Sequence, residues 1–203
     1  MKILNSVRKI GMACAFAAFA YAPSLFAQVN QNSVQDNFVT SMIPPEGTYD
    51  KKLLANAPSP NIKIMNENKT AKIVVDLSKN ILYKYDIQGK PEAAYLIASG
   101  KKSTPTHTGV RIVTHKETFP YRGAPRSSKR RRNPSAYGPK IICLNILDPK
   151  TGEQRSTGEF IHGTNNPEAL GEYVSHGCMR MDNDVIQDLS LEVKRGDIVA
   201  IKR

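Results

Sequence analysis

The segment from Phe160 to Met181 contains the residues of this sequence that are best suited to chemistry. It reads Phe-Ile-His-Gly-Thr, then a polar loop, then Ser-His-Gly-Cys-Met-Arg-Met. A cysteine attacks a carbonyl carbon as a thiolate, and a free thiol with a pKa of about 8.5 needs a base or a positive environment to ionise at neutral pH. Because two histidines and an arginine accompany Cys178, the segment predicts covalent catalysis by its thiol.

Gly177 and His162 occupy positions that suit the supporting roles in such a reaction. Gly177 permits a tight turn that would direct the amide groups of Gly177 and Cys178 at a developing oxyanion. His162 follows two apolar residues and precedes Gly163, which places it at the expected end of a strand. An imidazole held in this way suits a general base.

Two other interpretations of these residues remain open. His162, His176 and Cys178 could ligate zinc, since three nitrogen and sulfur ligands plus a water form a hydrolytic site. The His-x-Cys spacing is not typical of structural zinc, and no carboxylate is obviously placed as a partner. Alternatively, the residues could do no more than complete a glycine-rich turn. His107 and His115 are isolated, and we expect surface or packing roles for them.

The composition is that of an ordinary globular protein with an excess of positive charge. The 203 residues are 40% apolar and 23% charged, which suits one catalytic domain with a leader or tail. The net charge of +11 indicates anionic partners. The absence of Trp argues against an aromatic platform that stacks on sugars or bases.

Residues 1–27 have the layout of a cleaved secretory signal peptide. A basic start precedes an apolar, alanine-rich run over residues 10–22, and Ala27 is the small residue expected before a cleavage point. The run is shorter than the about 20 apolar residues of a spanning helix, although an uncleaved anchor is the alternative. Cleavage would remove three basic and no acidic residues, lower the net charge from +11 to +8, and leave the chain in the periplasm or cell envelope.

Two of the three cysteines, Cys143 and Cys178, lie outside this leader. An oxidising compartment permits a disulfide between them, but their surroundings differ. Cys143 lies in the apolar run Ile141–Leu144, which predicts a buried strand, whereas Cys178 lies among glycine, histidine and serine. We therefore expect separate roles for the two thiols.

The rest of the chain divides into a polar arm and a β-rich domain. Residues 28–70 are rich in Asn, Gln, Ser, Pro and Lys, which indicates a linker or extended N-terminal arm. Residues 71–203 form the expected catalytic domain, and their alternation from Ala71 to Tyr85 around the turn Ser78-Lys79-Asn80 predicts a hairpin.

Short apolar runs separated by Gly, Pro and Asn turns predict further strands. They cover Ala93–Ala98, Gly109–Thr114, Lys140–Leu147 and Asp197–Lys202. Helical periodicity is clearest over residues 182–194, with Asp182 as its N-cap. The pattern predicts a mainly β fold, of sandwich or barrel-like type, with one or two short helices.

The chemistry-bearing segment also carries a family resemblance. His162-Gly163-Thr164 followed by Ser175-His176-Gly177-Cys178-Met179-Arg180-Met181 resembles the signature of the YkuD-type L,D-transpeptidases, which cross-link bacterial peptidoglycan. Further matches follow in order, over roughly residues 72–202: Val75–Ser78 with Leu82-Tyr83, Thr104-Pro105-Thr106 leading to Gly109, Ser135–Pro139, and Asp184 with its helix. The sequence departs from the pattern at His107-Thr108, at Met179 and in a basic insertion over Ser127–Pro134, and none of these removes a reacting group.

The resemblance implies a role for each residue of the signature. Cys178 is the nucleophile and His162 its base, with the backbone carbonyl of Gly163 orienting the imidazole. The remaining implied roles are shaping of the oxyanion site by His176 and Gly177 with the Cys178 amide, binding of a substrate carboxylate or fixing of the loop by Arg180, and a substrate contact by Ser175. The resemblance implies no metal and no cofactor.

The implied reaction is a two-step acyl transfer by a monomeric enzyme. Cys178 attacks the carbonyl of the third residue of a stem peptide, a diamino acid, and releases the terminal D-alanine. An amine of a neighbouring stem, or of an envelope lipoprotein, then attacks the thioester. With water as acceptor the same site is an L,D-carboxypeptidase, and an amidase is a further alternative. A noncatalytic wall-binding module is the alternative of another class.

The basic segment over residues 126–132 reads Arg-Ser-Ser-Lys-Arg-Arg-Arg. A nucleic-acid partner is not expected, because the leader directs the chain to the envelope and no base-reading module accompanies the cluster. A solvated surface loop is one interpretation. The functional hypothesis is an electrostatic guide toward anionic stem peptides or envelope polymers.

Overall fold

The computed structural model describes residues 51–203. The expected signal peptide and the first part of the expected linker, residues 28–50, lie outside the described residues. The elements in chain order are α1 (Lys51–Ala55), β1 (Asn61–Ile64), β2 (Glu67–Thr70), β3 (Ile73–Asp76), β4 (Ile81–Tyr85), β5 (Pro91–Leu96), β6 (Ser99–Gly100), β7 (Gly109–Thr118), α2 (Lys129–Arg132), β8 (Lys140–Leu147), β9 (Gln154–His162), β10 (Tyr173–Ser175), β11 (Met179–Arg180), α3 (Asn183–Glu192) and β12 (Ile198–Lys202), with 3₁₀ turns at Pro134–Tyr137 and Pro167–Ala169. Within residues 51–203, no helix has the length and apolar character needed to cross a bilayer.

Eight of the strands form one mixed sheet, in the order β11-β9-β8-β7-β12-β3-β4-β5. Neighbouring strands are antiparallel except for two parallel pairs, β3 with β12 and β9 with β11. The predicted mainly β class is therefore confirmed. The described residues contain three short α-helices rather than the one or two expected, because α1 lies in the segment predicted to be a linker and α2 in the basic insertion.

The predicted hairpin is present as the antiparallel pair β3–β4, in which Asp76 lies opposite Ile81. The Asp76 carboxylate closes the turn, since it accepts the Ser78 amide at 3.0 Å and the Ser78 hydroxyl at 2.5 Å. Asn80 adopts a φ of 52°, a conformation that asparagine tolerates better than most residues. The turn is thus determined by local chemistry.

Residues 51–70 form α1 and the β1–β2 hairpin rather than the expected linker or extended arm. The Met65 amide donates to the Pro149 carbonyl at 2.7 Å, and Ile62 packs against an apolar cluster of the main sheet. Pro149 and the residues of the main sheet that bind this segment are not its neighbours in the sequence. The polar composition of residues 51–70 therefore could not predict these contacts.

The large sheet separates two apolar layers. On one face, residues of the central strands pack against α3; they are Ile73, Val75, Val113, Ile142, Leu144, Val199 and Ile201, with Ile186, Leu189 and Val193. On the other face, a smaller cluster contains Tyr121, Ala124, Ile141 and Cys143, with Tyr137 and Phe160 packed against it. Successive residues of β8 alternate between the two layers, as the strand period of two requires.

Asp182 is the N-cap of α3, as the sequence predicts. Its side chain accepts the amides of Asp184 at 2.8 Å and Val185 at 3.2 Å, which satisfies two otherwise free donors of the first turn. Ile186 and Leu189 then anchor the helix in the first apolar layer. This attachment holds the start of α3 directly after β11.

Candidate active site

Two neighbouring parallel strands position the thiol and the imidazole. Strand β9 ends at His162, and β11 begins directly after Cys178. In this pair Arg180 lies opposite His162, and Met179 lies opposite Ile161. Since Ile161 and Met179 are buried in the first apolar layer, strand alternation places His162, Arg180 and Cys178 over the opposite face.

A cavity of about 510 Å³ lies over this face, and both Cys178 and His162 line it. Its wall includes three basic residues, Lys129, Arg132 and Arg180, whereas no carboxylate among the described residues lines it. The cavity is therefore electropositive. It suits a ligand that carries negative charge.

The His162 imidazole is buried and held in one tautomer. Its Nδ1 atom lies 2.5 Å from the Gly163 carbonyl oxygen, and a carbonyl only accepts, so Nδ1 carries the hydrogen. Burial lowers the pKa of His162 from 6.5 to about 4, with hydrogen bonds to the Gly163 and Tyr137 backbone opposing the shift. At neutral pH the imidazole is therefore uncharged, with the hydrogen on Nδ1 and with Nε2 as its basic nitrogen.

The Cys178 thiol is partly exposed and donates to the Gly158 carbonyl oxygen at 3.6 Å. Burial raises its pKa above the ordinary 9.0, while a hydrogen bond from the Phe160 backbone and the positive charge of Arg180 oppose the rise. The resting pair is thus a neutral thiol with a neutral imidazole. A proton has to leave the sulfur during attack, which calls for a general base.

The loop before Cys178 depends on Ser175 and Gly177. Gly177 has a φ of 111°, a conformation that residues with a side chain rarely adopt. The buried Ser175 hydroxyl donates to the Cys178 carbonyl at 2.6 Å and accepts the Gly177 amide at 3.1 Å. Two expectations therefore need correction. Ser175 supports the loop instead of facing a substrate, and the Gly177 amide is already bound instead of being free for an oxyanion.

The remaining donor at this position is the amide of Cys178 itself. Among the described residues it donates to no protein acceptor. His176 is exposed and lines the cavity beside it. The oxyanion site that the geometry allows is therefore built on the Cys178 amide, with His176 at its edge.

The Thr104-Pro105-Thr106 segment binds the backbone of the loop that precedes Cys178. The Thr106 hydroxyl donates to the Gly177 carbonyl at 2.8 Å and accepts the Gly100 amide at 2.9 Å. The Thr104 hydroxyl donates to the Ser175 carbonyl at 3.1 Å. Two hydroxyls thus fix the backbone on which the thiol is carried.

Comparison with known proteins agrees with this geometry. The family model of the L,D-transpeptidase catalytic domain, YkuD, matches residues 70–201. The chain belongs to this family. A Bacillus subtilis relative named as the L,D-transpeptidase YkuD is 49% identical over 110 residues, which cover 54% of this chain and 52% of the relative. Another, named as the L,D-transpeptidase YqjB of the same organism, is 34% identical over 115 residues, covering 57% and 62%.

The match therefore spans about half to three-fifths of the length of these curated relatives. Among solved structures, Bdellovibrio bacteriovorus Bd1075 superposes with a TM-score of 0.51 at 21% identity, over 72% of this chain and 53% of that one. At this identity the likeness concerns the fold alone.

The zinc alternative for His162, His176 and Cys178 is not supported by the placement of these side chains. Within residues 51–203, the group of three whose ligand atoms lie within 4.8 Å of one another is His115, Glu117 and Cys143. The Glu117 carboxylate in that group already binds the Arg130 guanidinium at 2.6 and 2.9 Å. Burial raises the pKa of the Cys143 thiol to about 12, so it is a protonated thiol at neutral pH.

Cys143 and Cys178 are both free thiols, and strand β9 separates them. Cys143 lies opposite Phe160 of β9, and the register of β11 places Cys178 on the other side of the same residue. Two strand spacings correspond to about 9–10 Å, whereas the Cα atoms of a disulfide lie about 4.4–6.8 Å apart. A disulfide between them would require a rearrangement of the sheet.

Asn183 is a structural residue of the site that sequence reasoning missed. Its Oδ1 atom accepts the Thr164 amide at 2.9 Å and lies against Gly138 and Gly163. The first residue of α3 thereby holds the backbone that follows His162. Asp182 and the helix were visible in the sequence, but the partner of Asn183 lies 19 residues earlier in the chain.

Replacement of Gly163 by alanine is expected to lower the free energy of unfolding by about 1–3 kcal/mol and to reduce activity. A Cβ atom there would lie 2.3 Å from Asn183 Oδ1 and 2.9 Å from Pro139 Cδ. Urea denaturation measures the loss. Gly123→Ala is the matched control, because a Cβ atom at Gly123 meets nothing within 4 Å. Equal stability of the two variants would contradict the packing argument.

A second missed feature is the ion pair of Arg111 and Glu159 beneath the site. Arg111 Nε and Nη2 donate to Glu159 Oε2 at 3.1 and 2.8 Å, and both residues are buried. Glu159 Oε1 also accepts the His107 amide at 3.1 Å. The pair fixes the strand segment in which Gly158 accepts the thiol hydrogen and Phe160 donates to the sulfur.

Replacement of Arg111 by methionine is expected to cost about 3–5 kcal/mol of stability, because it leaves a carboxylate buried without its cation. Urea unfolding followed by circular dichroism measures the change. The double variant Arg111→Met/Glu159→Leu is expected to regain part of the loss. A single variant as stable as the original chain would show that the pair contributes nothing.

Proposed function

We propose that this protein is a peptidoglycan L,D-transpeptidase in which Cys178 forms a thioester with the third residue of a tetrapeptide stem. The observation that carries the proposal is the common cavity of Cys178 and His162, whose imidazole holds its hydrogen on Nδ1 and so keeps Nε2 as the basic nitrogen. Membership of the L,D-transpeptidase family supports the same reaction class.

In the first step, the sulfur turns from the Gly158 carbonyl and attacks the carbonyl carbon of the third stem residue. His162 Nε2 accepts the thiol proton, and the Gly163 carbonyl that binds Nδ1–H stabilises the imidazolium that forms. The Cys178 amide binds the oxyanion. The imidazolium then protonates the departing nitrogen of D-alanine, and the thioester remains.

In the second step, a primary amine attacks the thioester carbonyl. His162 removes a proton from the amine, the new amide forms, and the sulfur leaves and regains a proton. An amine of a neighbouring stem gives a 3–3 cross-link, and an envelope lipoprotein is a second candidate acceptor. Water as acceptor would make the same site an L,D-carboxypeptidase.

The proposal places the enzyme in the periplasm or cell envelope as a monomer. Its support is the basic, apolar and small-residue pattern of residues 1–27, together with the net charge of +8 that their removal would leave. Both fit a protein that acts on an anionic wall polymer outside the cytoplasm.

Incubation of the mature chain with tetrapeptide muropeptides tests the reaction. Mass spectrometry should detect dimers with a 3–3 bond together with free D-alanine. Tripeptides alone would identify a carboxypeptidase, and unchanged muropeptides would contradict catalysis. A carbapenem should add covalently to Cys178, and an intact mass without an adduct would argue against a reactive thiol.

A further inference from the structure

The four consecutive cations of α2 do not share one environment. Lys129 and Arg132 line the cavity of Cys178, whereas Arg130 and Arg131 are absent from its lining. Residues three apart lie on the same side of a helix, which explains why the first and last members face one way. The sequence showed a uniform basic run; the structure divides it into two pairs.

The two middle residues of α2, Arg130 and Arg131, anchor the helix. Arg130 binds Glu117 through two hydrogen bonds, and its guanidinium carbon lies 5.2 Å from the centre of the Phe160 ring. Arg131 donates to the Tyr121 carbonyl at 3.2 Å. These contacts attach α2 to β7, to β9 and to the loop after β7. The helix is therefore held over the active site, and it is more than a freely solvated loop.

The first and last residues of α2, Lys129 and Arg132, carry positive charge that no described side chain pairs with. Within residues 51–203, neither Lys129 nor Arg132 takes part in an ion pair or a side-chain hydrogen bond. The positive charge of Lys129 reaches the thiol, since it opposes the rise in the pKa of Cys178. Arg180 lines the same cavity, and its Nε atom is buried and has no hydrogen-bond partner among the described residues. Buried donors in native proteins usually have one, so Arg180 retains an unsatisfied donor.

We propose that Lys129 and Arg132 form a second carboxylate subsite, distinct from Arg180, that binds a free carboxylate on an internal residue of the donor stem peptide. The inference rests on the proposed function, because it assumes that a stem peptide enters the cavity. It goes beyond that function by assigning a selective role to two residues of the basic insertion.

Charge complementarity indicates two carboxylates in the ligand. The C-terminal carboxylate of a tetrapeptide lies one residue beyond the carbonyl that Cys178 attacks, and Arg180 lines the same cavity as the thiol, so the proposal assigns this carboxylate to Arg180. Lys129 and Arg132 line the cavity without an anionic partner among the described residues, so a single carboxylate bound at Arg180 would leave both available for a second one. A second one, at an internal stem residue, would pair with them through charge-assisted hydrogen bonds. Amidation of that carboxylate would remove the attraction.

Two synthetic tetrapeptides that differ only in this group, one with the internal carboxylate and one with a carboxamide, test the inference. The kcat/KM of transfer to one common amine is measured for the original chain, for Lys129→Ser/Arg132→Ser and for Arg122→Ser/Arg126→Ser. The last variant is the matched control. It removes two positive charges from the loop that precedes α2, but Arg122 and Arg126 are exposed and do not line the cavity.

The original chain and the control should prefer the carboxylate peptide by about tenfold, which corresponds to about 1.4 kcal/mol. The cavity variant should prefer it by less than about twofold, with its stability unchanged because both side chains are exposed. An undiminished preference in the cavity variant would overturn the subsite. An equal loss in the control would overturn it as well, because it would assign the effect to long-range charge.

Failure of the proposed function gives a different result. If the original chain transfers neither peptide, the transpeptidase reaction is wrong. Binding of the two peptides to the Cys178→Ala variant by calorimetry then tests the subsite alone. A roughly tenfold tighter Kd for the carboxylate peptide, lost when Lys129 and Arg132 are also replaced, would support it. Equal Kd values would reject it.

Discussion

Replacement of Cys178 by alanine is expected to lower transfer of tetrapeptide stems by roughly 10⁴-fold or more. In the proposed reaction the sulfur supplies the covalent bond of the thioester, and no other described side chain that lines the cavity is a thiol or a hydroxyl nucleophile of comparable strength. Release of D-alanine and formation of 3–3 dimers, followed by mass spectrometry, measure the loss. Circular dichroism should show an unchanged fold, since Cys178 is partly exposed.

Cys143→Ala is the matched control for this variant. Cys143 is the other free thiol of the described chain, but it is buried in β8 and its pKa is raised to about 12. We expect nearly full activity and a loss of about 1–2 kcal/mol in stability from the removed sulfur. Retained activity in Cys178→Ala, or loss of activity in Cys143→Ala with an intact fold, would contradict the assignment of the nucleophile.

Replacement of His162 by glutamine is expected to lower kcat/KM by about 10²–10⁴-fold near neutral pH. Glutamine has a similar size and can keep a hydrogen bond to the Gly163 carbonyl, but it cannot accept the thiol proton. The rate of D-alanine release at saturating acceptor measures the effect. The variant should still bind the stem peptide.

The pH dependence separates a base from a purely structural histidine. Protonation of His162 removes the acceptor, and its pKa is about 4, so kcat/KM of the original chain should decline only as the pH falls toward 4. In His162→Gln the thiol must ionise unaided. Because the pKa of Cys178 is raised, the rate of the variant should rise with pH throughout the neutral range and beyond pH 9.0.

Two outcomes would contradict this mechanism. An acidic limb near pH 6.5 in the original chain would indicate an imidazole that is solvated or paired with a thiolate. A flat pH profile in His162→Gln, at an unchanged rate, would show that the imidazole accepts no proton. Urea unfolding at each pH serves as the control for acid denaturation.

Local chemistry explains why several elements could be predicted. The alternation from Ile73 to Leu77, the turn closed by Asp76 and the N-cap at Asp182 each depend on residues within a few positions of one another. Strand alternation and capping act over that range. The order His-Gly followed by Ser-His-Gly-Cys likewise lies in one continuous stretch of the chain, from the end of β9 through β10 to the residue before β11.

The roles of individual groups within that motif depended on contacts that the motif does not contain. The Gly177 amide was expected to face an oxyanion, yet the Ser175 hydroxyl binds it. Residues 51–70 were expected to belong to a linker or extended arm, yet the Pro149 carbonyl accepts the Met65 amide of the β1–β2 hairpin. In both cases the deciding partner is set by how the backbone folds over distant segments, which residue types and spacing do not specify.

The sequence by itself determined the reacting residue types, the strand pattern and the basic insertion, because each depends on neighbours along the chain. Only the tertiary structure decided that the Cys178 thiol and the His162 imidazole share one cavity, since this follows from the parallel register of β9 and β11. It also decided which two cations of α2 face them. Burial and the direction of a side chain are set by packing between residues far apart in sequence, and a one-residue change of register would turn each of these groups to the other face.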